Sequence, residues 1–372
     1  MMLAGQLLHR TAQTVEEQEA AHYIARKFRE SITDVRIEEF NAPDSYPVLF
    51  ASYYTEFLVV SIAAWWMPFI AAGYGLVVLG CYLAEYMGIN MFSRLLPEYP
   101  SQNVVAHING LRPKGTLILH AYYDSPVATP LFIQKLQPWH RLIHGVLLLS
   151  MVIIVASCFA DGYGWATNHT IPVAAALRWS ALGILLSAAL FIFLTASQQE
   201  HTRGANNNAS GVTALLELGR RMAATPREDV DILLVASGSH GSWMSGIRYF
   251  LKHTKWNQGQ TCFINLEALG SSHLYYSTRE GTLHSTASAK NMIQALEKST
   301  FRAIQPAKVR NFPTATQMSM NHGIPSISIL GLDDKKFAEN WYSEEDMVAR
   351  LNEAQILTAV EAVETAIRTV KI

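Results

Sequence analysis

Three stretches of the chain contain no Asp, Glu, Lys or Arg: Phe57–Ala84, Leu142–Ala160 and Trp179–Gln199. About 20 apolar residues are enough for a helix to cross the hydrocarbon core of a bilayer, so each stretch predicts a membrane-spanning helix. Elsewhere the pattern changes. Residues 16–29 place Ala20, Ile24 and Phe28 on one helical stripe. Short apolar, β-rich runs follow at 103–108, 116–120, 231–237, 261–267 and 326–330, and a helix over 208–223 gathers Val212, Leu215, Leu216 and Leu218. A last helix is expected from Ser343, where Ser-Glu-Glu-Asp to Asp346 has the form of a capping box, to about Val370. Short apolar strands alternating with helices predict an α/β fold with a largely parallel, buried sheet.

The apolar stretches interrupt that domain. If the segments on either side belong to one folded unit, each insertion must return to the side it left, which requires an even number of spans. The second insertion supplies two, near 142–160 and 179–197, joined by a polar loop. The first is split near Trp66-Met67-Pro68, because proline removes a helix hydrogen bond, giving spans over 46–66 and 69–87. A re-entrant hairpin is the alternative there. The expected organisation is thus an α/β domain made of residues 1–45, 91–137 and 200–372, with transmembrane hairpins at 46–90 and 138–199 and four spans in all. Arg94, Lys135, Arg141 and Arg203 lie on the domain side and only Arg178 on the far side. Lys and Arg mark the cytoplasmic face, so the chain is expected to be a multi-pass integral membrane protein with its domain in the cytoplasm. Glu56, Tyr53-Tyr54 and Trp65-Trp66 are expected at the bilayer interface, and His144, Cys81 and Cys158 in helix packing.

Composition narrows the partners. Charged residues make up 16% of the chain, against about 25% in an average soluble domain. With 29 basic and 30 acidic residues, a net charge of −1 and no basic run, a nucleic-acid partner is excluded. The three cysteines have no metal-type spacing. The bilayer is the first expected partner, and a protein or peptide the second.

Several segments carry a resemblance. Asn103-Val104-Val105 to Gly110 and Leu117 to Ser125 resemble a strand pair leading to a His-x-Asp turn. Residues 204–211, Gly-Ala-Asn-Asn-Asn-Ala-Ser-Gly, resemble a Gly-Ala-Asn-Asp-Asn-Ala-Ser-Gly motif. Ala236 to Gly246 is similar to a strand end carrying a Glu-Glu pair, and Asn265-Leu266-Glu267 to an Asn-Leu-Asp strand end. Gly323-Ile324-Pro325 is similar to a later strand start, and Trp341 to Asp346 falls where a Tyr-His-Thr and a downstream Asp are expected. Together these resemble the zinc aminopeptidase family, which includes bacterial leucyl aminopeptidases and glutamate carboxypeptidase, with the transferrin receptor and nicastrin ectodomains as non-peptidase relatives. The resemblance implies that family's three-layer, mostly parallel sheet.

It also implies a degraded metal site. Family members hold two zinc ions with two His, a bridging Asp, two further acidic ligands and a Glu general base, a set suited to zinc and to generating hydroxide. Carried over, the first His becomes Tyr122, while the Asp two residues later survives as Asp124. The bridging carboxylate becomes Asn207, the Glu-Glu pair Ser239-His240, and the closing His Tyr342; Glu267 retains a carboxylate. Ser239 therefore stands at the general-base position and no catalytic set is intact. The resemblance implies a catalytically inactive protein with no cofactor, whose vestigial cleft of Tyr122, Asp124, Asn207, Ser239, His240, Glu267 and Tyr342 binds a peptide or protein. The alternative is a membrane-bound hydrolase or acyl transferase, similar to the family's single-zinc glutaminyl cyclase branch, with one zinc held by His240, Glu267 and His120.

Overall fold

The computed structural model describes residues 2–43, 46–129, 135–169, 171–196, 200–298 and 304–371. Its elements, in order, begin with α1 (Met2–Gly5), α2 (Val15–Arg29), β1 (Asp34–Pro43), α3 (Tyr46–Ala63) and α4 (Pro68–Tyr86). Next come β2 (Glu98–Ile108), β3 (Gly115–Tyr122), β4 (Val127–Ala128), α5 (His140–Thr167), α6 (Pro172–Ala196) and β5 (Glu200–His201). The chain continues through α7 (Gly211–Ala224), β6 (Val230–Ser237), α8 (Ser245–His253), β7 (Thr261–Glu267), β8 (His273–Glu280) and β9 (Thr286–Ala287). It closes with α9 (Lys290–Lys298), β10 (Ile304–Val309), α10 (Ala315–Asn321), β11 (Ser326–Leu332) and α11 (Glu353–Thr369).

These elements divide into two compact units, one of Met1–Asp44, Glu98–Pro138 and Glu200–Ile372, the other of Ser45–Pro97 and Trp139–Gln199. Residues 91–97, expected in the α/β domain, go with the helices instead. The expected boundaries at 45 and 199 lie outside the described residues.

The larger unit is built on a sheet of order β1-β2-β6-β3-β7-β11-β8-β10, with β9 beside β8. β6, β3, β7 and β11 run parallel in its middle. β2 and β8 join this centre antiparallel, one on each side. The strand alternation sorts the side chains. Leu117, Leu119 and Ala121 of β3 pack into a core shared with Ala20, Ile24 and Phe28 of α2, with Val212, Leu215 and Leu218 of α7, and with Ile356, Val360 and Val363 of α11. The predicted stripe of α2 is therefore a buried face. The sites of the opposite parity, His120 and Tyr122 among them, lie on the other side of the sheet, where α8 and α10 pack.

One predicted boundary fails. The last helix starts at Glu353, capped by the Asn352 side chain accepting from the Gln355 N–H, and not at Ser343. The Asp346 carboxylate is drawn away from any capping box because it accepts hydrogen bonds from the Asn206 and Asn207 backbone N–H groups at 2.6 and 2.9 Å.

The smaller unit is helical. Among the described residues, three helices are long and apolar enough to cross a membrane: Pro68–Tyr86, Gln137–Thr167 and Pro172–Ala196. A fourth apolar segment, Pro47–Ala63, is shorter. The chain breaks between α3 and α4 at Ala64–Met67, with Pro68 at the first position of α4, as the sequence predicts. Close packing needs small residues. A Cβ on Gly75 would come 2.9 Å from Val155, and one on Gly162 2.8 Å from the Phe69 ring.

Tyr53 and Tyr54 are both buried among the helices, and the Tyr53 hydroxyl donates to Glu85 Oε2 at 3.2 Å. Trp65 and Trp66 are exposed, and Glu56 Oε2 accepts from the Tyr74 hydroxyl at 2.6 Å. Arg178 is buried in an ion pair with Asp161.

Candidate functional site

The site forms where β3, β6 and β7 end, the edge at which parallel sheets build their functional clefts. Four segments supply it: the end of β3 with Tyr122 and Asp124, the turn 204–210, the loop 238–241 after β6, and the end of β7 with Glu267. Each is pinned from behind by a carboxylate or an amide. Asp124 accepts from the His240 and Gly241 N–H groups, both at 2.9 Å. Glu17, in the first turn of α2, accepts from the Ser239 N–H at 2.7 Å. That loop needs holding, since Ser239 has a left-handed φ of 48°. In the 204–210 turn, Asn206 Oδ1 accepts from the Gly270 N–H at 2.8 Å, and Asn208 Oδ1 from the Ala268 N–H at 3.0 Å and, at the mouth of α7, the Gly211 N–H at 3.2 Å. The Asn triplet is thus in part a helix-entry device.

Asn207 is the member of the triplet that faces the site. Its Oδ1 accepts from the Tyr122 hydroxyl, which also lies 3.4 Å from Glu267 Oε1. The Tyr122 ring stacks on His240 with centroids 3.6 Å apart. Burial, then the neighbouring Glu267 and Tyr342, push the Tyr122 phenol well above its usual range, while a bond from the Trp341 indole pulls it the other way. Tyr342, with a left-handed φ of 54°, is the one member of the expected cleft that is not buried. Tyr122, Asp124, Asn207, Ser239, His240 and Glu267 are all buried. They form a closed polar cluster rather than an open groove, because the phenol fills its centre.

His120 does not join them. Its Nδ1 is 2.8 Å from Asn265 Oδ1 and its Nε2 is 2.8 Å from Ser237 Oγ, so both ring nitrogens are occupied. Strand register explains this. His120 is opposite Asn265, Asn265 opposite Ser328, and the Ser328 N–H donates to Ser277 Oγ at 2.9 Å. A row of small polar side chains thus crosses the sheet beneath the site. Asn265 Nδ2 ties it to Glu267 Oε2 at 2.9 Å.

The electrostatics of the cluster follow from burial. Desolvation lowers His120 to about 4 and His240 to about 3, leaving both rings neutral. It raises Glu267 to about 7, against the Asn265 and Tyr122 hydrogen bonds that lower it. A carboxyl raised in the folded state keeps its proton there while the unfolded chain has lost its own. Wild type should therefore lose stability, relative to Glu267→Gln, as pH climbs from about 4.5 to about 7, and the difference should level off above that. The full difference is about 3 kcal/mol, read as paired melting temperatures across that range. Parallel pH curves for the two proteins would contradict it.

Residues 189–367, just under half of the chain, match Peptidase family M28. No curated protein matches at the sequence level. Solved structures do. A zinc aminopeptidase from Bacillus subtilis aligns over 100% of this chain and 93% of its own, with 15% identity and a TM-score of 0.58. The fold is that of the zinc aminopeptidases. An aminopeptidase from Aneurinibacillus sp. strain AM-1 aligns over 99% and 91% of the two chains, with 12% identity and a TM-score of 0.57. A glutaminyl cyclase from Porphyromonas gingivalis aligns over 97% and 92%, with 12% identity and a TM-score of 0.53.

That fold implies zinc, and the residues present do not fit it. A catalytic zinc takes three protein ligands from His, Cys, Asp or Glu and keeps a fourth position open. Among the described residues no three such side chains gather to hold a metal ion. The expected trio of His240, Glu267 and His120 fails because His120 is bound on both nitrogens and the His240 ring lies flat on Tyr122.

Sequence reasoning missed two parts of this site. Arg10 and Glu17 precede or open the first long helix and carry no motif. Their only signal was charge at positions that proved fully enclosed.

Proposed function

We propose that this chain is a membrane-anchored, non-catalytic protein of the zinc-aminopeptidase fold that binds a peptide or protein partner through its α/β domain or the remnant of its cleft. One observation carries the reading. The general-base position holds Ser239, a buried hydroxyl with no hydrogen-bond partner, and no carboxylate stands there to take a proton from water. Purified protein should not release product from aminoacyl or peptidyl reporters beyond the level of the Glu267→Ala variant. Turnover abolished by that substitution would overturn the reading.

A second reading, a hydrolase or a glutaminyl-cyclase-like acyl transferase, draws on Glu267. A carboxyl near 7 is suited to general acid–base work at neutral pH, and solved glutaminyl cyclases share the fold. Cyclisation of a peptide with an N-terminal glutamine, lost in Glu267→Ala, would favour it. The apolar helices support anchoring in a bilayer. The basic residues Arg94, Lys135, Arg141 and Arg203 support a cytoplasmic domain, which protease access in inside-out vesicles tests.

A further inference from the structure

We propose that the Tyr122 hydroxyl is a built-in replacement for a metal ion, so that positions 122, 207 and 267 hold this site together without one. The proposal deepens the non-catalytic reading, and its test reads metal content and stability rather than turnover, so the two can fail separately.

Three separate segments meet at a single oxygen. The hydroxyl at the end of β3 donates to Asn207 Oδ1 in the 204–210 turn and faces Glu267 Oε1 at the end of β7 across 3.4 Å. Every participant is fixed from behind. The Tyr122 ring lies against His240 at 3.6 Å, the Asn207 N–H is held by Asp346, and Glu267 Oε2 is held by Asn265.

Three converging side chains are what a zinc with one open position needs. Here the convergence survives while two of the three are neutral, a phenol and a carboxamide, and the phenol oxygen sits between the other two. The exchange leaves traces. Asn207 Nδ2, His240 Nδ1 and Ser239 Oγ are buried without hydrogen-bond partners, in an interior where such atoms are normally paired. They surround a centre whose polar atoms the Tyr122 hydroxyl pairs only in part.

The test uses the full-length protein in detergent. Wild type should contain no stoichiometric zinc and melt at the same temperature with zinc or with a chelator. Tyr122→Phe, which keeps the ring and removes the tie, should melt about 3–10 °C lower. Tyr122→His combined with Asn207→Asp should take up about one zinc per chain, with a melting temperature that rises with zinc and falls with chelator. Should the double variant fail to fold, wild type and Tyr122→Phe still decide the matter. The proposal is overturned by zinc in wild type whose removal lowers its melting temperature, by a Tyr122→Phe protein as stable as wild type, or by a folded double variant indifferent to zinc. Turnover by metal-free wild type would sink the non-catalytic reading and leave this one standing.

Discussion

Arg10→Met is expected to destabilise the α/β unit by about 4–5 kcal/mol. The side chain is fully buried and its guanidinium donates to four backbone carbonyls. Nε reaches Tyr123 at 2.8 Å, Nη1 reaches Leu3 at 2.7 Å and Arg203 at 2.8 Å, and Nη2 reaches Gly204 at 3.0 Å. Burial lowers its pKa to about 10, while Asp124 and Asp346 hold it up, so it stays charged at neutral pH. Methionine fills similar volume and strands four acceptors, each costing about 1–3 kcal/mol if left unpaired.

The same change removes the cation that favours ionised Asp124 and Asp346, each already raised to about 6 by burial. Their pKa values should climb further, and the loss of stability should be larger above pH 6 than below it. Calorimetric melting at pH 5 and pH 8 checks both the size and the sign. A variant within about 1 kcal/mol of wild type would mean that the carbonyls find other donors.

The second large effect lies in the helical unit. Arg178 of α6 is buried against Asp161 of α5, so Arg178→Leu leaves an acidic side chain without its partner in an apolar bundle. Removing one partner of a fully buried pair costs about 3–5 kcal/mol, and somewhat less is expected here because the Asp161 side chain is 22% exposed, whereas replacing both by apolar groups is often neutral. Arg178→Leu alone should therefore unfold far more readily in detergent than Arg178→Leu with Asp161→Leu. Equal stability of the single and double variants would show that Asp161, once it has lost its partner, costs the bundle nothing.

Much of the architecture was legible because it rests on periodicity. The α2 stripe, the five strand runs and the proline break before α4 follow from which positions are apolar, and burial enforces those choices. The candidate site was legible only as identities at motif positions. Asp124, the acidic residue retained at its motif position, accepts from the 240–241 backbone and so holds that loop. The sequence did not reveal that Tyr122 closes the cluster, because that depends on how three distant segments converge. His120, named only as the third ligand of the single-zinc alternative, has partners that were hidden for a similar reason. Its partners Asn265 and Ser237 come from neighbouring strands, and cross-strand register is invisible along one chain. Ser343 misled because a capping box is a local pattern, and Asp346 bonds to residues far away in sequence.

The order of the strands has a consequence for how the protein is made. β3 (Gly115–Tyr122) lies between β6 (Val230–Ser237) and β7 (Thr261–Glu267). Both of its neighbours leave the ribosome only after α5 and α6 have been synthesised. Until then β3 is a strand with two unpaired edges, and exposed edges invite wrong partners. Translation through the apolar helices thus sets a waiting period during which the nascent chain carries an open sheet. Ribosome-bound intermediates stalled before residue 230 should depend on chaperones, and those stalled beyond the exit of β7 should not.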